Sequence, residues 1–207
     1  MFEHLRNVDD EVFRQFALVC QRLVQSARLL EQLLAGTSAD EARLGRAIHE
    51  ADEDAHRLAH AADARALTAF VMRLDRMDVH AVAVALDAAV SGVEDAASQA
   101  EALHASGAPP ALRSLAATLT RAAEALETAT AHVGRSPQGM ADAVTEVRRF
   151  ENEGEAYFDD GVGRLFVGTP DVLEVLRWKD TYERVLRALA QCALAAGTLE
   201  QISQHDM

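Results

Sequence analysis

Four prolines divide this chain, and none interrupts a long segment. Pro109, Pro110, Pro137 and Pro170 all fall where an apolar pattern stops or starts. Proline removes a backbone donor and clashes with the preceding turn, so long proline-free stretches with apolar residues three and four apart read as helices. The first such stripe is Phe13, Phe16, Cys20, Leu23, Ala27, Leu30 and Leu34, a coiled-coil-like spacing closed by Gly36. The last is Val175, Trp178, Tyr182, Val185, Leu189, Cys192, Ala196 and Leu199.

Between them the start and stop signals define six helices. The first runs from about Asp9 to Ala35. Ser38 to Glu41 is a capping box opening the second, which continues to about Ala69. Asp75 to Asp78 caps the third, which ends near Ala105. The stretch from Gly107 to Pro110 breaks the chain, and the fourth covers about Pro110 to Val133. Ser136 caps the fifth, which reaches about Phe166. Thr169, Pro170 and Asp171 supply a cap and an early proline for the sixth, which ends near Ser203. No alternating strand pattern of useful length occurs. Short links imply antiparallel neighbours. The break after residue 106 separates three helices from three, and the halves share a faint likeness at a period of about 100 residues. The expected fold is all-α, with six long antiparallel helices forming two related three-helix bundles, residues 1–106 and 107–207 of a single domain.

With 207 residues, 49% of them hydrophobic, there is ample material for a core. A net charge of −13 with no basic patch argues against nucleic acid and against direct attraction to anionic lipid; it suits cations or a basic protein partner. Cys20 and Cys192 lie on apolar stripes and read as core residues of a reducing compartment. No apolar run approaches about 18 residues, so no membrane-inserted span is expected. The opening residues lack a signal peptide's apolar stretch, which gives a cytoplasmic reading.

One acidic step occurs on two helices: Glu50 with Asp54, and Glu151 with Glu155. Carboxylates four residues apart share a helix face and repel, so such a pair is either solvated or a cation site. On a helix that turns about 100° per residue, Glu50 and Asp54 sit on the shoulder of the apolar face, as do Glu151 and Glu155. Asp87 borders the stripe of the third helix, with His80 and Ser91 on its shoulder. Shoulders of adjacent helices can converge on one ion, and hard oxygen donors suit Mg, Ca, Mn or iron. His49, His56 and His60 fall near one another on a face roughly opposite the apolar stripe, where a transition metal or plain solvent is the alternative.

These residues, in this order, resemble the PhoU-like family, and more closely its divergent branch of accessory proteins of Pit-type phosphate transporters. Glu50/Asp54 matches the family's Glu-x-x-x-Asp step, and Glu151/Glu155 matches it with Glu for Asp. Phe70 followed by Asp75, Arg76 and Asp78 matches a turn of the branch. The run Leu176, Arg177, Trp178, Lys179, Asp180, Thr181, Tyr182, Glu183 is similar to its Trp-Lys-x-x-Tyr-Glu signature. The resemblance implies two three-helix bundles with acidic metal clusters, no catalysis, and regulation of phosphate uptake at a transporter's cytoplasmic face. The implied ion is divalent or ferric, with Fe, Zn, Mg and Ni not distinguished. Three family ligand positions are changed, to Ser91, Leu186 and Ala190. The second cluster is therefore expected to be weak or empty, and the first to keep Glu50, Asp54 and Asp87. Exposed bundle faces leave room for a homo-oligomer.

Two rivals stand beside this reading. Glu53/His56 and Glu101/His104 both spell Glu-x-x-His, the motif of ferritin-like di-iron bundles, which needs both pairs in one core. The other rival is a helical scaffold without metal. No Gly-rich phosphate loop, Cys-x-x-Cys or nucleophile elbow is present, so an enzyme has no support.

Overall fold

The computed structural model describes residues 2–36, 41–69, 72, 74–102, 108–168 and 171–205. They form six helices: α1 (Phe2–Ala35), α2 (Glu41–Thr68), α3 (Arg76–Ala102), α4 (Pro110–His132), α5 (Pro137–Leu165) and α6 (Val172–His205). The expected helices are all there. α1 starts seven residues earlier than the cap-based reading, because nothing between Phe2 and Asp9 breaks a helix.

The boundaries follow local chemistry. Asp75 accepts the Met77 amide at 2.7 Å, and Ser136 accepts the Gly139 amide at 3.1 Å. Pro110 opens α4 directly after Pro109, where a missing N–H costs nothing. Gly36 and Gly134 turn the chain at φ 63° and 64°, a conformation that a Cβ disfavours. The expected Ser38 cap, and Thr169 and Pro170, lie outside the described residues. The α6 cap is Asp171, which accepts the Leu173 amide at 2.8 Å. Each carboxylate cap satisfies a donor that the helix leaves unpaired. Asp75→Ala should therefore lower stability by about 1 kcal/mol, read as a shift in urea midpoint, while Asp78→Ala, one turn on, should change it less.

The stripes read from sequence are the core. Phe16, Cys20, Leu23, Ala27 and Leu30 of α1 are fully buried, as are Tyr182, Val185, Leu189, Cys192, Ala196 and Leu199 of α6. Within the first half α1, α2 and α3 pack on one another, and α4, α5 and α6 repeat the same set of contacts. The halves join through α1 on α4 and α3 on α6, so equivalent helices meet each other. One continuous apolar core runs through both. The α3–α6 crossing is close because it is built from small residues. A Cβ at Gly92 would stand 3.0 Å from that of Ala188. Arg184 then reaches Asp95 across the seam at 3.0 Å.

Candidate functional site

α2 lies between α1 and α3 and presents a different polar shoulder to each. Its buried line is Ala51, Ala55, Ala59 and Ala62. Asp54 is turned toward α1, where Arg22 approaches it at 3.4 Å, and Arg57 of the same helix also holds it. At about 100° per residue, Glu50 falls on this same shoulder, and it is exposed.

The opposite shoulder faces α3 and carries a ladder. His49 Nδ1 lies 3.5 Å from Glu94. Ser91 donates to Asp52 at 2.8 Å. His56 Nδ1 lies 3.1 and 3.2 Å from the two oxygens of Asp87. His80 Nδ1 lies 3.1 Å from Asp63. The residue numbers on the two helices add to the same total at all four rungs, as strict antiparallel packing requires. His49 and His56 thus line an interhelical seam and do not face away from α3. Asp87 belongs to this seam, across α2 from Glu50 and Asp54.

The structure therefore does not bring Glu50, Asp54 and Asp87 together. A metal there would have to displace Arg22 and Arg57 from Asp54 and His56 from Asp87, so the set as arranged does not fit an ion. Among the described residues no three His, Cys, Asp or Glu side chains are grouped to hold a metal. The di-iron pairing fares no better geometrically: Glu53 and His56 are exposed, and His104 lies outside the described residues.

In the second half Glu151 and Glu155 sit on the α5 shoulder facing α6. Glu151 is close enough to act on the thiol of Cys192. Burial, then the neighbouring Glu155, pushes the Glu151 carboxyl above its ordinary value, against the pull of Arg148. Leu186 is half-buried against the core, and neither it nor Ala190 supplies a donor there. Glu153, on the other shoulder, takes Arg121 of α4 at 2.6 Å. Arg121–Glu153 repeats Arg22–Asp54 with the same step along both helices. The structural counterparts of Glu151 and Glu155 are then Asp52 and His56, not Glu50 and Asp54. The apparent repeat of one acidic step joins two different shoulders.

On the α4–α5 face Arg121 and Arg149 stand 4.8 and 4.3 Å from the Phe150 ring, with Glu153 between them. Beside them an open groove of about 480 Å³ is lined by Thr128, His132, Gly139 and Glu146 among others. Its arginine already has a carboxylate partner, so no free anion-binding pair faces it.

The bundle's most unusual surface is the α5–α6 tip. Phe166, Val167, Val172, Leu173 and Leu176 are 55–76% exposed there. Isolated exposed apolar residues are ordinary, but five within eleven positions form a patch. Around it, Asp171 is occupied in capping α6 and Arg164 pairs with Asp160 at 2.8 Å. Among the described residues no helix is long and apolar enough to cross a membrane.

No protein-family model matches the chain, and no curated protein matches it in sequence. Solved structures do match in fold, and the fold they define is that of PhoU-like proteins. A PhoU-like phosphate regulatory protein from Shewanella oneidensis MR-1 superposes with a TM-score of 0.66 at 14% identity, over 92% of this chain and 98% of that one. A second PhoU-like structure from the same organism gives 0.66 and 14%, over 93% and 96%. The all-α, six-helix architecture expected from the sequence is thereby shown.

Proposed function

We propose that this chain is a non-enzymatic regulator of inorganic phosphate transport that docks on the cytoplasmic face of a Pit-type phosphate transporter. The observation that carries it is end-to-end likeness to a PhoU-like phosphate regulatory protein, which this chain matches over 98% of its length. In this reading the chain is one domain of two bundles, 1–106 and 107–207, working in the cytoplasm at the inner face of the membrane.

The docking surface in this reading is the α5–α6 tip. Apolar residues held outward at a hairpin end gain by burial against a partner, about 25 cal/mol per Å² of apolar surface covered. The partner's charge is complementary. Cytoplasmic loops of membrane proteins carry excess Lys and Arg, whereas this chain carries −13.

Two measurements test the proposal. Deleting the gene should alter phosphate uptake, and unchanged uptake would count against the role. Purified protein should bind vesicles containing the transporter, more weakly at high salt, and should not bind empty vesicles of the same lipid. The double substitution Val172→Ser with Leu173→Ser should weaken that binding at least tenfold, while Leu194→Ser, an exposed leucine further along α6, should leave it unchanged. Equal binding to empty vesicles, or no effect of the tip substitutions, would overturn the docking surface.

A further inference from the structure

We propose that the exposed face of α3 pairs with the same face of a second copy of this chain, about a twofold axis parallel to α3. Outside the α5–α6 tip, the large apolar side chains left exposed among the described residues are Leu67, Met77, Val84 and Leu194, at 53–71%. All four lie on one surface. Leu67 stands one turn beyond Asp63 on the α2 shoulder that faces α3, and so comes beside Met77, which precedes His80 by one turn. The Gly92–Ala188 and Asp95–Arg184 contacts run α3 antiparallel to α6, and counting back from them brings Val84 within about half a turn of Leu194. Ala81 and Ala88, in the same line on α3, are also exposed. Met77, Ala81, Val84 and Ala88 alternate four and three residues apart, the spacing of a seam by which one helix packs on another.

The internal repeat shows that this stripe is not ordinary surface. One constant offset relates α3 to α6: it maps Asp75 onto Asp171, each of which accepts the amide two residues on, and Gly92 onto Ala188. At that offset Ala81, Val84 and Ala88 correspond to Arg177, Asp180 and Arg184. The outer side of α6 is charged where that of α3 is apolar, and a contiguous exposed apolar patch marks a surface that a partner covers. Area and charge name the partner. From Met77 to Asp95 α3 runs about 27 Å, and with α2 and α6 about 8–10 Å to either side the face measures roughly 700 Å², near the ~800 Å² that each member of a stable pair covers. Its flanks are opposite in charge: Glu53 and Asp63 belong to α2, Arg184 and Arg187 to α6. A twofold axis across the helices would set like flank on like flank. An axis along α3 lays α6 of each copy over α2 of the other, with Arg187 within about half a turn of the level of Glu53, so the surface is complementary to itself. Both α5–α6 tips then point the same way. Use of the pair for two-point docking on one membrane rests on the function proposed above; the pairing itself rests on the α3 face alone.

The test is the mass of the full chain, measured by light scattering after size-exclusion chromatography. At micromolar concentration and above it should be twice 22.4 kDa. Val84→Glu places an unpaired carboxylate in the seam and should raise the dissociation constant at least about 100-fold, while helical content and melting temperature stay close to those of the parent chain. Arg187→Glu should weaken pairing about tenfold, and Glu53→Arg in the same chain should restore it. Leu176→Ser, at the α5–α6 tip, should leave the mass doubled, so pairing and tip docking can fail separately. Cross-linking reads the axis. Met77→Cys and Val84→Cys should each give a disulfide-linked pair with copper–phenanthroline in air, because an axis along α3 brings each position against its own copy. Cys20 and Cys192 are fully buried and do not compete. Linkage through Val84→Cys but not through Met77→Cys would overturn the axis along α3. A mass of 22.4 kDa at every concentration would overturn the pairing and leave the face to a helix of another protein. A doubled mass that survives Val84→Glu combined with Ala88→Glu would overturn the choice of face.

Discussion

Raising the pH above about 9 should unfold this bundle steeply, and replacing two cysteines should blunt the effect. Cys20 and Cys192 are fully buried in the apolar core. Burial pushes the Cys192 thiol from 9.0 up to about 12, and pushes Cys20 up further still, because a thiolate in an apolar core has lost its water. Cys192 adds to the rise at Cys20, and Glu151 adds to the rise at Cys192. Tyr182, also fully buried, is raised from 10.0 to about 12 by the same cause. The sign follows from proton counting. Above pH 9 the unfolded chain has released thiol protons that the folded chain still holds, so stability falls as pH rises. The thiols' contribution is fully present below pH 9 and is lost as pH rises toward their folded values. Two such groups lower stability by about 3 kcal/mol per pH unit, against a total of roughly 5–15 kcal/mol for a typical domain. Urea unfolding at a series of pH values should therefore show midpoints that fall rapidly from pH 9 to 11. The double variant Cys20→Ala with Cys192→Ala should begin less stable but decline with a slope smaller by about two protons. Parallel decline of variant and parent would show that the thiols do not titrate on unfolding.

The helices were legible in the sequence because proline, glycine and capping residues act locally. Asp75 and Ser136 cap in the structure as their positions suggested, since an N-cap is a contact within one turn. The buried stripes were legible for the same reason: helical periodicity states which face is apolar. Periodicity is silent on which neighbour covers each flank of that face. Glu50 and Asp54 lie on one flank of α2 and Asp52 and His56 on the other. Only the packing of α1 and α3 shows that the first flank meets Arg22 and the second meets Asp87. A usable signal was present. The link between α2 and α3 is short, so residues equidistant from its centre must face each other if the helices are antiparallel. Counting outward from that centre pairs His56 with Asp87 and Asp63 with His80. Matching acidic spacing alone instead aligned Glu50/Asp54 with Glu151/Glu155, because charge spacing repeats by chance more readily than a cross-helix contact does.

The contact between Tyr182 and Gly161 should show a reversal of sign that no surface substitution would produce. Tyr182 is fully buried in α6 and meets Phe158 of α5 edge to face at 6.3 Å and 84°. Its ring packs against Gly161 of α5, where no side chain stands. A Cβ at Gly161 would lie 2.4–2.6 Å from the hydroxyl and ring atoms of Tyr182. Truncation by Tyr182→Ala removes a large apolar volume that the rigid helices cannot refill, and should cost about 3–5 kcal/mol. For a chain of this length the melting temperature should fall by roughly 6–20 °C. Gly161→Ala in the parent chain inserts a methyl into occupied space and should cost about 1–3 kcal/mol, even though alanine is the better helix former by up to about 1 kcal/mol. In the Tyr182→Ala background the obstruction is gone and the helix preference remains, so the same Gly161→Ala substitution should stabilise. Chemical unfolding of the four proteins completes the cycle and isolates the coupling. A Gly161→Ala effect of the same sign in both backgrounds would mean that the aromatic ring does not set the approach of α5 to α6. The reversal would show that Gly161 is retained for the room it gives Tyr182, and that the Trp178–Tyr182 stretch of α6 works as the packing centre of the second bundle.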